Sequence, residues 1–371
     1  MNCLHNWKYV RIGDVCTVER GGSPRPIEQF ITDDPNGINW IKIGDTNDSM
    51  YITSTAQKII REGMKKSRYV QPGDFLLSNS MSFGRPYILK VDGCIHDGWL
   101  VLRDNEGVFD KRFLYYYLSS PSTYLKFKNM AVGGVVNNLN SEMVRGVTVP
   151  VPSMKEQLDI VSVLDKVTEM IALRKAQLAK LDELVKARFV EMFGDTEINP
   201  YKFPVRYWNE VFITTTGKLD SNAMVDGGQY PFFTCAKEHF WIDKYAFDCE
   251  ALLLAGNNAA GVYDVKHYKG KFNAYQRTYV LQLLDKSWSY LLFKRQLEDK
   301  LIFLQNQSKG TNTRYLTLGI LSELRFVIPP KELQREFATF VEQTNKTKLT
   351  IQASLDKLEV MKKALMQEYF G

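Results

Sequence analysis

The chain repeats itself at an offset of 177 residues, and this constrains its fold more than any property of its composition. Pro152, Gln157, Lys180, Leu181, Phe193 and Gly194 fall on Pro329, Gln334, Lys357, Leu358, Phe370 and Gly371; 334 − 157 and 371 − 194 both give 177. The same offset carries Gly84 onto Gly261, Gly133 onto Gly310 and Leu139 onto Leu316. A chain built this way is two copies of one unit, each a globular part followed by a long apolar-periodic stretch.

Steps of three and four from Ile160 reach Leu164, Val167, Ile171, Arg174, Leu178, Leu181, Val185, Arg188 and Met192, apolar at all but the two Arg positions. That is the narrow seam of a coiled coil rather than the wider stripe of a core-facing helix. Adding the offset gives a weaker seam of the same period: Phe337, Val341, Thr344, Lys348, Ile351, Leu355, Leu358, Lys362, Leu365 and Tyr369. Ser153 followed by Glu156 is a capping-box start, Pro330 suits a first helical turn, and Gly194 then Pro200 make a stop. A helix of roughly 37 residues would extend about 55 Å, too long to be buried in one small domain. The economical expectation is an antiparallel pair that spaces two domains; an exposed helix that dimerises with another chain is the alternative.

The expected organisation is a globular domain at 1–152, a spacer helix at 153–194, a second globular domain at 195–329 and a second spacer helix at 330–371. The 371 residues, 44% hydrophobic and 12% aromatic, suffice for packed cores. No run of about 18 apolar residues occurs, and the opening MNCLHNWKYVRIGD lacks a signal-peptide core, so the chain is expected to be soluble, cytoplasmic and without a membrane partner. The five cysteines (Cys3, Cys16, Cys94, Cys235, Cys249) are odd in number and widely spaced, which suggests neither a disulfide framework nor a zinc site. The net charge is +6, and the helical stretches are neutral, so the excess of 34 Lys and Arg over 28 Asp and Glu lies entirely outside them. Basic globular halves joined by neutral helices suit a polyanion held by the halves.

Within the first half, residues 38–45, 51–60 and 99–102 read as strands, and Lys65, Lys66 and Arg68 as a basic turn. GDFLLSNSMSFGRPYIL (73–89) reads as strand, polar loop and strand, and 111–119 as an aromatic-rich helix. The second half repeats the plan, with strands at 230–235 and 251–256, a polar loop NNAAG at 257–261, a basic-aromatic strand pair at 269–281 and a helix at 288–303. The segments 132–140 and 308–316 are matching Gly/Asn loops. Each half is expected to be a mixed α/β domain.

Catalytic patterns are missing. Gly256 to Gly261 has Walker-like spacing, but Val262 and Tyr263 stand where Lys and Ser/Thr are needed. Asn199–Pro200–Tyr201 is similar to the Asn-Pro-Pro-aromatic element of adenine methyltransferases, yet it lacks the second Pro and a Gly-rich cofactor loop. His5, His96, His239 and His267 are isolated, and His96–Asp97, read as neighbours on a strand, would face opposite ways. Nucleic-acid contacts have better support, because Asn and Gln pair with adenine, Arg and Lys with guanine, and Lys, Ser and Thr with phosphate. The candidates are Arg20, Arg25, Asn79, Ser80, Ser82 and Arg85 in the first half. In the second they are Lys237, Asn257, Asn258, Lys271, Tyr275, Arg277, Lys309, Asn312 and Arg314.

The opening at 7–22, GDFLLSNSMSFGRP, the Gly133–Pro152–Gln157 and Gly310–Pro329–Gln334 transitions, and helices ending in Phe-Gly together resemble the specificity subunits of type I restriction-modification systems. GQYPFFTCA (228–236), FDCEALLLAGNNAAG (247–261) and KGKFNAYQRTYV (269–280) are similar to one type of target recognition domain in that family. The resemblance implies two tandem target recognition domains in a pseudo-two-fold repeat, separated by paired antiparallel helices, each domain reading one half of a split site on double-stranded DNA. It implies two methyltransferase subunits docked on the helices, with restriction subunits added to them. Methyl transfer to adenine N6 with S-adenosylmethionine, and cleavage with ATP and Mg, would belong to those partners, leaving this chain non-catalytic and without a cofactor. The halves differ outside the helices and loop frames, so the site should be asymmetric. A fused nuclease-methyltransferase system is a close variant, and a coiled-coil adaptor that binds protein without DNA specificity is the reading from another class.

Overall fold

The computed structural model describes residues 7–79, 84–131 and 138–371. It divides into two compact units, Met1–Leu173 with Ser354–Gly371, and Arg174–Ala353.

In the first unit, strands β1 (Lys8–Arg11), β2 (Cys16–Arg20), β3 (Ile38–Ile41), β4 (Phe75–Ser78), β5 (Pro86–Leu89), β6 (Gly93–Ile95), β7 (Trp99–Asp104) and β8 (Thr148–Val151) carry the framework. β2, β7, β4, β5 and the short strand Tyr51–Ile52 form one five-stranded sheet in that order. A second five-stranded sheet is ordered Ile31–Thr32, Gln57–Ile59, β3, β6 and Arg68–Val70, and β1 pairs with β8. β4 and β7 are apolar on both faces because both are covered. Phe75, Leu77, Leu100 and Leu102 pack beneath helix α1 (Lys111–Leu118), with Phe113, Tyr116 and Tyr117. The alternate residues Leu76, Trp99 and Val101 enter a second cluster with Ile41, Val70 and Ile95. The long helix α2 (Met154–Phe193) follows β8.

The second unit rebuilds the same frame from β9 (Val205–Tyr207), β10 (Phe212–Thr216), β11 (Tyr230–Phe233), β12 (Phe247–Ala255), β13 (Val265–Ala274), β14 (Thr278–Leu283), helix α3 (Tyr290–Asp299), β15 (Arg325–Val327) and the long helix α4 (Lys331–Phe370). Its six-stranded sheet runs β10, β14, β12, β13, β11 and Phe240–Ile242, and β9 pairs with β15. The registers correspond: Arg20 faces Leu100 as Thr216 faces Tyr279, and Ser78 faces Trp99 as Ala255 faces Thr278. β12 also has two buried faces, Leu252 and Leu254 packing with Phe293 and Leu297, and Ala251 and Leu253 with Phe233, Phe272 and Val280.

The two long helices each run 40 residues, and each contributes its two ends to different units. Between 171 and 188 the seam residues Ile171, Arg174, Leu178, Leu181, Val185 and Arg188 are the ones partly withdrawn from solvent. In α4, every expected seam residue from Val341 to Lys362 is likewise buried or half-buried, with Ser354 the one addition over that span. Toward the ends the seam widens. In the first unit Ile160, Val161 and Leu164 of α2 and Met366 and Phe370 of α4 join the domain core. In the second, Phe189 and Phe193 of α2 pack with Phe337 and Val341 of α4 and with Leu292 of α3. There Arg188 also reaches Glu336 at 2.5 Å, and Lys348 pairs with Asp182, so the segments run antiparallel. The capping box at the start of α2 is formed: Ser153 N donates to Glu156 Oε2 (2.9 Å), and Glu156 N to Ser153 Oγ (3.3 Å).

Some local readings change. Residues 51–60 split between two sheets, as Tyr51–Ile52 and Gln57–Ile59, because residues 53–56 carry the chain from one sheet to the other, with a bend at Ala56. The strand at 38–45 ends at Ile41 and closes in a 3-10 turn at Ile43–Asp45. The helix at 288–303 is two helices, α3 and Leu301–Gln307, separated at Lys300, whose amine bonds back to Glu197. Asn199–Pro200–Tyr201 is a tight turn: Asn199, at φ 50°, exchanges side-chain bonds with Phe203 N and O, and Pro200 covers Gly194, which ends α2 at φ 68°.

Candidate DNA interface

A turn precedes β7 in the first unit and β14 in the second, and both are built alike. His96 and Tyr275 open them; Trp99 N donates to His96 O (3.1 Å) and Thr278 N to Tyr275 O (2.8 Å). A glycine crosses each one closely: Gly21 N bonds Trp99 O (2.9 Å), and Gly217 N bonds Thr278 O (3.4 Å). A Cβ at Gly21 would lie 2.2 Å from His96 O and at Gly217 1.8 Å from Ala274 O, so only glycine fits either crossing. The opposite side is braced in the same manner. Asn79 N donates to Gly98 O (2.9 Å) and Leu139 N to Asn79 O (3.0 Å); Gly256 N donates to Arg277 O and Leu316 N to Gly256 O, both at 2.8 Å. Gly84 and Gly261, matched by the 177-residue offset, both take the left-handed conformation (φ 70° and 69°).

In the first unit this frame gathers three of the expected residues around Asp97. Arg20 Nε and Asn79 Nδ2 donate to the Asp97 backbone oxygen (3.0 and 2.9 Å), and exposed Arg25 meets its carboxylate at 3.3 Å. Ser23 Oγ donates to Asp97 Oδ1 (2.8 Å). Asn79 is 1% exposed, an interior strut rather than a surface group, and its Oδ1 has no partner among the described residues. Burial opposes ionisation of Asp97, but the Ser23 hydroxyl, His96, its own backbone N–H and Arg25 together hold the carboxyl below the usual range. Burial also pushes the His96 imidazole down, and its Nδ1 accepts from Gly98 N at 2.6 Å. His96 and Asp97 therefore lie in a turn and not on a strand, and the expected strand alternation does not apply to them. Arg85 lies apart, in a cleft with Asn47, Tyr87 and Tyr115. Ser80 and Ser82 fall outside the described residues.

In the second unit, Tyr275 is half-buried and Arg277 exposed within the turn. Asn257 and Asn258 pair with Tyr315 and Arg314, which brings them beside the loop that carries Lys309 and Asn312. Asn258 Oδ1 accepts from Ala260 N (2.8 Å) and shapes the polar loop, which is a turn between β12 and β13. Lys237 and Lys271 are elsewhere, lining a cleft with His239, Trp241 and Tyr268; Lys271 sits over the Tyr245 ring at 4.7 Å. The expected residues thus form one set at the turn and loop frame and another in this aromatic cleft. Sequence reasoning weighed Asp97 only beside His96 as a catalytic pair and did not single out Gln276; the two hold corresponding tip positions, and the signal for them was the pair of glycine-containing segments at 20–25 and 216–220 that latch them.

Among the described residues no group of His, Cys, Asp and Glu is arranged to hold a metal, and no helix is long and apolar enough to cross a membrane.

Known proteins share this architecture. The chain is 34% identical over 163 residues to the type I restriction enzyme EcoDI specificity subunit of Escherichia coli, covering 42% of this chain and 35% of that protein. It is 25% identical over 213 residues to the type I restriction enzyme MjaIX specificity subunit of Methanocaldococcus jannaschii, covering 56% and 46% respectively. The matched stretch therefore spans less than half of each of these relatives. Among solved structures, the type I restriction-modification system S subunit from M. genitalium superposes with a TM-score of 0.63 at 14% identity, covering 100% of this chain and 98% of that one. A chain from a structure concerning assembly and conformational transition of the type I restriction-modification system superposes with a TM-score of 0.56 at 16% identity, covering 98% and 97%. The model of the type I restriction modification DNA specificity domain matches twice, at residues 5–183 and 202–360. Two matches over most of the chain, on two units that share one strand register, place this protein in the type I restriction-modification DNA specificity family.

Proposed function

We propose that this chain is the DNA-specificity subunit of a type I restriction-modification complex, in which each unit reads one half of a bipartite, asymmetric site. The observation that carries this reading is the turn frame built twice with different residues at its tip, Asp97 and Gly98 in one unit and Gln276 and Arg277 in the other. One frame fixes how a unit approaches a groove, and different side chains on it select different bases. The long helices dock two methyltransferase subunits, and restriction subunits join through them. Methyl transfer to adenine N6 and ATP-driven cleavage, with their S-adenosylmethionine, ATP and Mg, belong to those partners in the cytoplasm. A stacked adenine must leave the helix to react, so the target base is flipped into the methyltransferase while this chain holds the flanking bases.

The test is a genome-wide map of N6-methyladenine in a host carrying this chain with its neighbouring methyltransferase, against the same host without this chain. A split, asymmetric motif that depends on the chain is the expected result. An intact purified complex that writes no new motif would sink the proposal.

A further inference from the structure

The two turns invite a closer comparison of their tips. Asp97 and Gln276 occupy the same place, each one residue after the residue that opens the turn and one before the residue whose carbonyl is braced by Asn79 or Gly256. Each is also latched to the segment beyond the crossing glycine. Ser23 Oγ donates to the Asp97 carboxylate, and Gln276 N and Nε2 donate to Leu219 O (2.9 Å) and Asp220 Oδ1 (2.5 Å). A side chain held by its own backbone frame and a neighbour's side chain keeps few rotamers, which is what base discrimination requires.

The latches leave different hydrogen-bonding faces. Asp97 retains acceptor capacity only, on a side chain 42% exposed. Gln276 is exposed; Asp220 can only accept, so the Gln276 amide nitrogen faces it, leaving one N–H and the carbonyl oxygen for a ligand. An acceptor-only group suits the N4 amino group of cytosine, and a paired donor and acceptor suit N7 and N6 of adenine.

We propose that Asp97 and Gln276 are the corresponding specificity-determining residues of the two units, Asp97 reading a cytosine in one half-site and Gln276 an adenine in the other. This rests on the DNA-specificity reading above and adds to it which residues read and what they read. Arg20 and Asn79 position the Asp97 backbone, and Arg25, which meets the carboxylate at the surface, is released to the DNA backbone when the turn enters the groove.

The experiment repeats the N6-methyladenine map with D97N and Q276E in the full chain, expressed with the neighbouring methyltransferase. The wild-type motif should contain a C:G pair in one half-site that degenerates in D97N, with discrimination there falling roughly 10- to 100-fold and the other half-site unchanged. Q276E should do the reverse, relaxing one A:T pair in the other half-site only. Motifs unchanged in both variants overturn this inference and leave the DNA-specificity reading standing. Loss of both half-sites in D97N, with Q276E indistinguishable from wild type, also overturns it by making Asp97 a structural brace. A wild-type map with no chain-dependent motif removes the parent reading and this inference together.

Discussion

Replacing Gln157 by Ala would strip three hydrogen bonds from one buried amide. Its Nε2 donates to Val108 O (2.9 Å) and Pro152 O (3.1 Å), and its Oε1 accepts from Asp110 N (2.8 Å). Asp110 is the N-cap of α1, so the amide ties the start of α2 to the start of the domain helix. Gln334 does the same in the other unit, donating to Pro329 O (2.9 Å) and accepting from Ser289 N (3.0 Å), the N-cap of α3. Buried groups left without partners cost about 1–3 kcal/mol each, so Gln157→Ala should loosen the first unit by about 2–4 kcal/mol and leave the second untouched. Amide hydrogen exchange, which reads the units separately, would show faster exchange in β4 and β7 but not in β12 and β14. A change below about 0.5 kcal/mol, or an equal change in both units, would show that the amide carries no such role. The Gln pair was legible in the sequence because both copies kept the residue and the offset. The Asp97 site was not, because 72 to 77 residues separate it from Ser23, Arg20 and Arg25, and only the folded turn joins them.

At the scale of elements, the long helices were readable because a seam with a period of three and four needs no knowledge of tertiary partners. Where their ends pack was not, since Phe189, Phe193, Met366 and Phe370 lie off or beyond the narrow seam and are buried by the globular bodies. The aromatic closing residue Phe370 stacks edge-on against Phe113 and Tyr117 with centroids 5.7 Å away in both cases, and its carbonyl accepts from Ser122 Oγ at 2.6 Å. Its counterpart Phe193 meets Phe337 at 5.6 Å within the second unit. Phe370→Ala should cost about 3–5 kcal/mol and free the last turns of α4, so that limited proteolysis removes the C-terminal segment first. Phe193→Ala should leave that cleavage pattern alone and destabilise the second unit instead. Equal protease resistance of Phe370→Ala and the wild type would contradict the packing argument. Short strands were harder to read than helices. Residues 51–60 have strand composition throughout, and only the second sheet explains why they divide.

For the molecule as a whole, duplication was legible where both units kept the same loop lengths. Asn79 and Gly256 stand 177 apart, but Arg20 and Thr216, which share one register, stand 196 apart. The difference arises because the first unit is 19 residues longer between these positions, in the segment that carries four strands of its second five-stranded sheet, and no fixed offset can survive such a change in length. The halves therefore share a frame while their outer surfaces diverge, which is the condition for two unlike half-sites. Arg277 gives the whole-molecule test. It is exposed beside Gln276 at the turn tip; under the proposed function an Arg there would read guanine, and the basic excess outside the helices would supply the phosphate contacts. Binding of the complex to duplexes carrying the mapped motif should fall steeply between about 50 and 200 mM salt, with a log–log slope near −0.9 per phosphate held. Arg277→Ala should remove discrimination at one position of the second half-site, leave the first half-site intact and leave that salt slope unchanged. Uniform weakening on every sequence, with the slope reduced by about one, would instead assign Arg277 to a phosphate, and base reading by the second unit would then have to rest on Gln276 and the loops around Asn257 and Asn312.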